Sequence, residues 1–198
     1  MIAIERTPWR PAIRRIGPGE WIAAIGDVHG HADLLAALHA ALAAEIAAIR
    51  PASATVVHLG DLVDRGPENR RTVALARAGV AGAHTVTLMG NHEERMLAEL
   101  GGSGPPHLRW YAMGGRELFA ECGVEPEAGW QQLLRRRFGP GLVDWLAGRP
   151  RLHRHGPLVF VHAGIDPERP LDDQDPHTLA WVRETWWHHP GPYPDAVA

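Results

Sequence analysis

Cysteine is nearly absent: Cys122 is the only one in 198 residues, which excludes an internal disulfide framework and any zinc site built on several thiolates. Neither sign of charge dominates. A formal net charge of -3 with 22% charged residues leaves no electrostatic footprint for nucleic acid or an anionic membrane, and the Arg10, Arg14 and Arg15 cluster is too small to make one. The first twenty residues carry Arg and Pro but lack the apolar stretch of a signal peptide. Long hydrophobic runs are missing too. The longest, Leu34 to Ile49, is interrupted by His39 and Glu45 and falls short of the ~20 residues a bilayer crossing needs, so it is expected to be a core helix. There are no internal repeats or low-complexity tracts. The expectation from these absences is a cytoplasmic chain with no nucleic-acid and no membrane partner, its oligomeric state open. A length of 198 residues suits a single domain spanning 1–198, since domains run to roughly 100 to 200 residues.

What the chain does have is a 45% hydrophobic content and thirteen His, the residue type that suits imidazole-ligated metals. Its apolar runs end in a repeated pattern. Ile22 to Ile25 leads into Gly26-Asp27-Val28-His29-Gly30; Ala54 to Leu59 leads into Gly60-Asp61-Leu62-Val63-Asp64-Arg65-Gly66; Thr85 to Met89 leads into Gly90-Asn91-His92-Glu93. A short apolar run halted by Gly-Asp reads as a buried strand that delivers polar groups into the loop at its C-terminal end, where α/β sheets place their sites. Leu35, Leu38, Leu42, Ile46 and Ile49 recur at spacings of three and four, predicting a helix over 31–49 and hence a βα unit. Second and third units add helices over about 69–78 and 92–100. Beyond a break at Gly101 to Pro106 the text is mainly helical through Arg137 and again over 141–147. A strand pair is predicted over 151–155 and 158–161 with Gly156-Pro157 as the turn, followed by His162-Ala163-Gly164. A further helix is expected over 177–187, and the last dozen residues are Pro-rich.

The strand ends together carry Asp27, His29, Asp61, Asn91 and His162. Two carboxylates, two imidazoles and an amide suit a pair of borderline divalent ions such as Mn, Fe, Zn or Co better than Ca²⁺, which takes oxygen ligands only. Asp61 lies on the middle of the three loops and is assigned the bridge, with Asp27 and His29 completing one ion and Asn91 and His162 the other. Two ions ~3.5 to 4 Å apart can hold a hydroxide between them and clamp the attacking and leaving oxygens of an in-line displacement at phosphorus. His58, inside the second run, reads as a core histidine, and Glu93 as a supporting carboxylate rather than a ligand.

Gly-Asp-Val-His-Gly, Gly-Asp-Leu-Val-Asp-Arg-Gly, Gly-Asn-His-Glu and His-Ala-Gly, in this order, resemble the signature blocks of the PPP-type metallophosphoesterases, which include serine/threonine protein phosphatases and diadenosine tetraphosphatase. Trp110 followed by Gly114-Gly115, and Trp181-Val182-Arg183-Glu184, resemble blocks of the bacterial and phage branch. The resemblance implies an α/β four-layer sandwich, with a central β-sandwich flanked by helices. It also implies two metal ions, Mn²⁺ first among them, and hydrolysis of phosphomonoesters, with phosphoserine or phosphothreonine of a protein as the leading substrate. By the same resemblance His92 is the general acid, oriented by Asp64, and Arg65, Arg183 and Asn91 bind the substrate phosphate.

One block is missing. The family closes its second metal site with a Gly-His strand after the His-Ala-Gly block, and no Gly-His follows His162. The expectation is a weakly held second ion in a chain that is truncated or completes the site otherwise; His188 and His189 are set aside as substitutes. Two rival readings accompany the first: a dinucleoside polyphosphate hydrolase, and an impaired homologue that binds phosphorylated ligands without turning them over.

Overall fold

The computed structural model describes residues 2–8, 10 and 14–190. Three βα units open the fold: β1 (Glu20–Ile25), α1 (Ala32–Ile49), β2 (Ser53–His58), α2 (Asn69–Ala78), β3 (His84–Thr87) and α3 (Asn91–Gly101). The strands form one parallel sheet in the order β1-β2-β3, with Ile22 opposite Thr55 and Thr55 opposite His84. Each crossover steps one strand in the same direction. Right-handed connections then put α1 and α2 on the same face, where they touch. Val56 and Ala54 face that side and join Ile25, Leu35, Val73 and Met96 in the main core. A fully buried side chain of this size contributes about 1.5 to 3 kcal/mol.

α1 is apolar enough by composition to be a candidate membrane span, with a mean hydropathy of 1.7. Its Leu35, His39 and Ile46 are buried, and His39 hydrogen-bonds to His58 of β2 at 2.9 Å, which places it in the core as a sheet-covering helix. His58 is 0% exposed and also meets Thr87 Oγ1 at 3.0 Å, the satisfied core histidine expected from its position inside a strand.

The helical text after Pro106 resolves into a short α4 (Leu108–Trp110), a wide-turn segment Tyr111–Gly115, α5 (Arg116–Cys122), α6 (Trp130–Phe138) and α7 (Pro140–Ala147). The rings of Trp110, Phe119 and Trp130 meet at tilted angles with centroids 4.9 to 6.1 Å apart and extend the main core. β4 (Leu152–His155) and β5 (Leu158–Val161) form an antiparallel hairpin, with Gly156 at a φ of 55° supplying the left-handed turn. Leu152, Val159 and Val161 pack on a second cluster, Ile165, Leu171 and Leu179.

Two boundaries differ from the sequence reading. β3 ends at Thr87: Leu88 N–H still bonds to His58 O of β2 at 2.9 Å, but Met89 N–H turns away to Pro150 O at 2.9 Å. The single helix expected over 177–187 is two: α8 (Pro176–Trp181), capped by Asp175 accepting from Thr178 N–H, and α9 (Glu184–Trp187). Val182 is extended between them, with a ψ of 143°. The Pro-rich text from residue 191 onward lies outside the described residues.

Candidate active site

The first two βα loops are sewn together by main-chain bonds, and the third is tied to them by side chains. Val28 and His29 N–H both donate to Asp61 O, at 3.0 and 2.9 Å, and Gly30 N–H to Leu62 O at 2.8 Å. Glycine permits this closeness: a Cβ on Gly66 would stand 2.2 Å from His29 O, and one on Gly90 2.2 Å from Asp61 Oδ1. Four non-glycine residues of the site lie in the left-handed region, His29, Asp61, Asp64 and Arg65, at φ 46°, 51°, 70° and 66°. Such conformations cost about 1 to 3 kcal/mol each and persist where surrounding bonds over-determine them.

Around Asp61, Glu93 supplies those bonds. Fully buried at the start of α3, it accepts four main-chain N–H groups: Asp61 (2.8 Å) and Gly90 (2.9 Å) on Oε2, Leu62 (2.7 Å) and Val63 (3.0 Å) on Oε1. Burial and the neighbouring Asp61 charge push its carboxyl up, against the N–H donors of Val63, Gly90 and Asp61 that hold it down.

Asp61 is 3% exposed, and its two oxygens face different imidazoles. Oδ2 is 3.6 Å from His29 Nε2 and 3.9 Å from His92 Nε2; Oδ1 is 3.5 Å from His162 Nε2. His29 Nδ1–H donates to Val63 O at 2.9 Å, which fixes the tautomer and leaves Nε2 with its lone pair buried and unpartnered. Burial lowers the His29 pKa, so the ring is neutral, the form that ligates a metal. His162 has an acceptor oxygen against each ring nitrogen, Leu59 O 3.0 Å from Nδ1 and Asn91 Oδ1 2.8 Å from Nε2. Asp27, half exposed, puts Oδ2 3.7 Å from His29 Nε2. Two donor groups thus share Asp61: His29, Asp61 and His92, and Asp27, Asp61 and His162, the donor atoms of each within 4.8 Å of one another. In the first, His92 has both nitrogens engaged by protein, Nδ1 to Asp64 Oδ2 at 2.7 Å and Nε2 to Arg65 at 3.1 Å, whereas His29 is free to ligate. An orphaned buried nitrogen beside a buried carboxylate fits a divalent cation.

Burial disfavours the charged form of His92, but the Asp64 hydrogen bond and the Asp61 and Asp64 charges outweigh it and raise its pKa. Asp64, buried, takes a second donor on the same oxygen, Trp110 Nε1–H at 2.9 Å.

Residues 21–197 match the calcineurin-like phosphoesterase family. The chain belongs to that family. Among curated relatives it is 31% identical over 150 residues to "Bis(5'-nucleosyl)-tetraphosphatase, symmetrical" of Methylococcus capsulatus, covering 74% of this chain and 44% of that one. The protein of the same name from Aeromonas hydrophila is 30% identical over 145 residues, covering 72% and 44%. The chain therefore spans less than half the length of these relatives. A solved structure described as a metallophosphoesterase from Sphaerobacter thermophilus aligns with a TM-score of 0.40 at 24% identity, over 75% of this chain and 48% of that one.

Of the resemblance to PPP-type enzymes it is the broader calcineurin-like phosphoesterase family that the match shows, and the curated relatives named above are tetraphosphatases rather than protein phosphatases. Within this metallophosphoesterase fold, Asp27, His29, Asp61, Asn91 and His162 converge at the C-terminal ends of the strands, with His92, Asp64 and Arg65 beside them. Arg183 is exposed at the N-cap of α9, just after the chain straightens at Val182, and is not among the residues lining the cleft beside His92. His188 and His189 join neither donor group.

Two contributors escaped the sequence reading. From the sequence Glu93 is only a supporting carboxylate, because its four-donor role depends on loops meeting in space. Trp110 was noticed as part of a block; its bond to Asp64 across 46 positions leaves no local signal.

Proposed function

We propose that this chain hydrolyses a dinucleoside polyphosphate in a metal-dependent reaction, cleaving a phosphoanhydride so that a nucleoside diphosphate leaves. The observation that carries the metal-dependent part is the buried Asp61 carboxylate between His29 and His162, with His29 Nε2 unpartnered. The tetraphosphatase relatives support the substrate class, and nothing supports the phosphoprotein substrate in its place.

Asp27, His29 and Asp61 would hold one divalent ion and Asp61, Asn91 and His162 the other. When bound, such a pair neutralises phosphoryl charge and makes water nucleophilic near neutral pH, with Mn²⁺ our first choice of metal. The protein side chains do the rest. Arg65 presents a forked guanidinium to two phosphate oxygens. In the resting site that guanidinium donates to His92 Nε2, which requires the ring to be unprotonated there. Engagement of Arg65 by the phosphate frees Nε2 to carry a proton, while Asp64 holds Nδ1–H and stabilises the imidazolium. In turnover, water's oxygen bonds to phosphorus and releases a proton to solvent, the bridging P–O bond breaks, and the His92 proton goes to the departing oxygen.

The test is turnover of diadenosine tetraphosphate, a phosphoserine peptide and p-nitrophenyl phosphate with added Mn²⁺. The expected result is hydrolysis of the dinucleotide at a kcat/KM well above that of the peptide. Peptide turnover without nucleotide turnover would overturn the substrate class, and silence on all three would overturn the hydrolase.

A further inference from the structure

His92 also lines a cleft of about 500 Å³, walled by Arg95, Arg109, Met113, His177 and Trp181. We propose that this cleft binds the nucleoside diphosphate leaving group, its phosphates on the two arginines and its base on Trp181 and Met113. The proposal rests on the dinucleoside polyphosphate reading above and names where that substrate's departing half sits.

The direction follows from proton transfer. A general acid must touch the leaving oxygen, so the leaving group lies on the side of the phosphorus that His92 faces. There the wall is cationic and aromatic. Among the described residues no acidic side chain lines the cleft, although the whole chain carries a net charge of -3. Arg95 follows His92 by three positions on α3 and so projects from the same face; it is braced by Glu99 at 2.9 Å. Arg109 is exposed on α4 and forms no ion pair among the described residues. Guanidinium forks fit the paired oxygens of a diphosphate. Trp181 is held at a set angle by donating Nε1–H to Glu94 at 3.2 Å and by stacking with His177 at 5.5 Å, and the exposed Met113 adds a soft apolar surface. An indole held at a set angle and an exposed thioether lining the same cleft suit a planar base, and the volume falls within the ~300 to 1,000 Å³ typical of small-molecule sites.

Calorimetric titration of the full chain with ADP and with inorganic triphosphate, in EDTA so that no ion mediates the contact, tests this. The expected result is saturable ADP binding. Arg109→Ala should weaken both ligands about fivefold or more, and Trp181→Leu should weaken ADP about fivefold or more while sparing triphosphate. If Trp181→Leu does not fold by circular dichroism, Met113→Ala, at an exposed position, takes its place with the same expected selectivity. Absence of saturable ADP binding, or binding indifferent to these substitutions, would overturn the subsite even if diadenosine tetraphosphate is hydrolysed. Failure to hydrolyse diadenosine tetraphosphate overturns the substrate reading instead, whatever the titration shows.

Discussion

Glu93 illustrates how one side chain can set the conformation of several others. Its carboxylate collects N–H groups from Asp61, Leu62, Val63 and Gly90, and in doing so holds Asp61 in a left-handed conformation it would not choose alone. Glu93→Gln replaces one acceptor oxygen by a donor facing N–H groups, leaving two of them buried and unpaired. At about 1 to 3 kcal/mol for each, the variant should lose on the order of 3 kcal/mol, read as a lowered midpoint in urea, and should lose metal affinity with it. His92 is different in kind, since its nitrogens bond to Asp64 and Arg65. His92→Asn should keep metal content by elemental analysis, yet slow alkyl phosphates by about 10²- to 10⁴-fold and p-nitrophenyl phosphate much less, because an acid matters most when the leaving oxygen is basic. Equal slowing of both would rule out the proton-donor role.

At the scale of elements, three strand-to-helix loops meet so tightly that their glycines act as spacers. Gly66 abuts the carbonyl of His29 and the backbone of Gly30. Gly66→Ala would force a Cβ to within 2.2 Å of His29 O, so the first two loops must part and His29 must turn away from Asp61. The expected outcome is loss of phosphoesterase activity and of metal uptake with the far-UV circular dichroism of the helices retained. Wild-type metal binding in this variant would show that the loop junction is softer than its geometry indicates. The βα units, α2 from Asn69 to Ala78 and the β4–β5 hairpin were all legible from periodicity and turn residues, because their cause is local. The interruption at Val182 was not. The text from residue 177 to 187 has nothing that forbids a continuous helix, and the burial of Leu179 beside Ile165 and Leu171, with Trp186 packed against the same cluster, is a tertiary matter.

Across the whole molecule, α1 and the sheet are joined by a buried polar chain, His39 to His58 to Thr87. The two imidazoles face each other through Nε2 at 2.9 Å and share one proton there, so a second proton would set two donors against each other. Burial, with His39 adding to it, lowers the His58 pKa to about 4. The unfolded chain, with an ordinary value of about 6.5, binds this proton first as pH falls, so stability is lost between pH 6.5 and 4 and is unaffected above it. From pH 7 to pH 5 this one group should cost about 2 kcal/mol. A pH series of thermal midpoints checks it, and a His39→Leu, His58→Phe double variant should flatten the slope. An unchanged slope would assign the acid sensitivity elsewhere.

What the sequence by itself determined is the content of the strand ends: which loops carry Asp27, His29, Asp61, Asn91, His92 and His162, and that the runs before them are buried strands. These are properties of neighbours in the chain, where alternation, spacing and Gly punctuation act over a few residues. The tertiary structure alone decided that Asp61 turns one oxygen to His29 and the other to His162, that Glu93 ties loops together, that Trp110 reaches Asp64, and that Arg183 stays outside the cleft. Those outcomes depend on side chains 30 to 100 positions apart meeting in a close-packed interior, and no local pattern encodes that geometry.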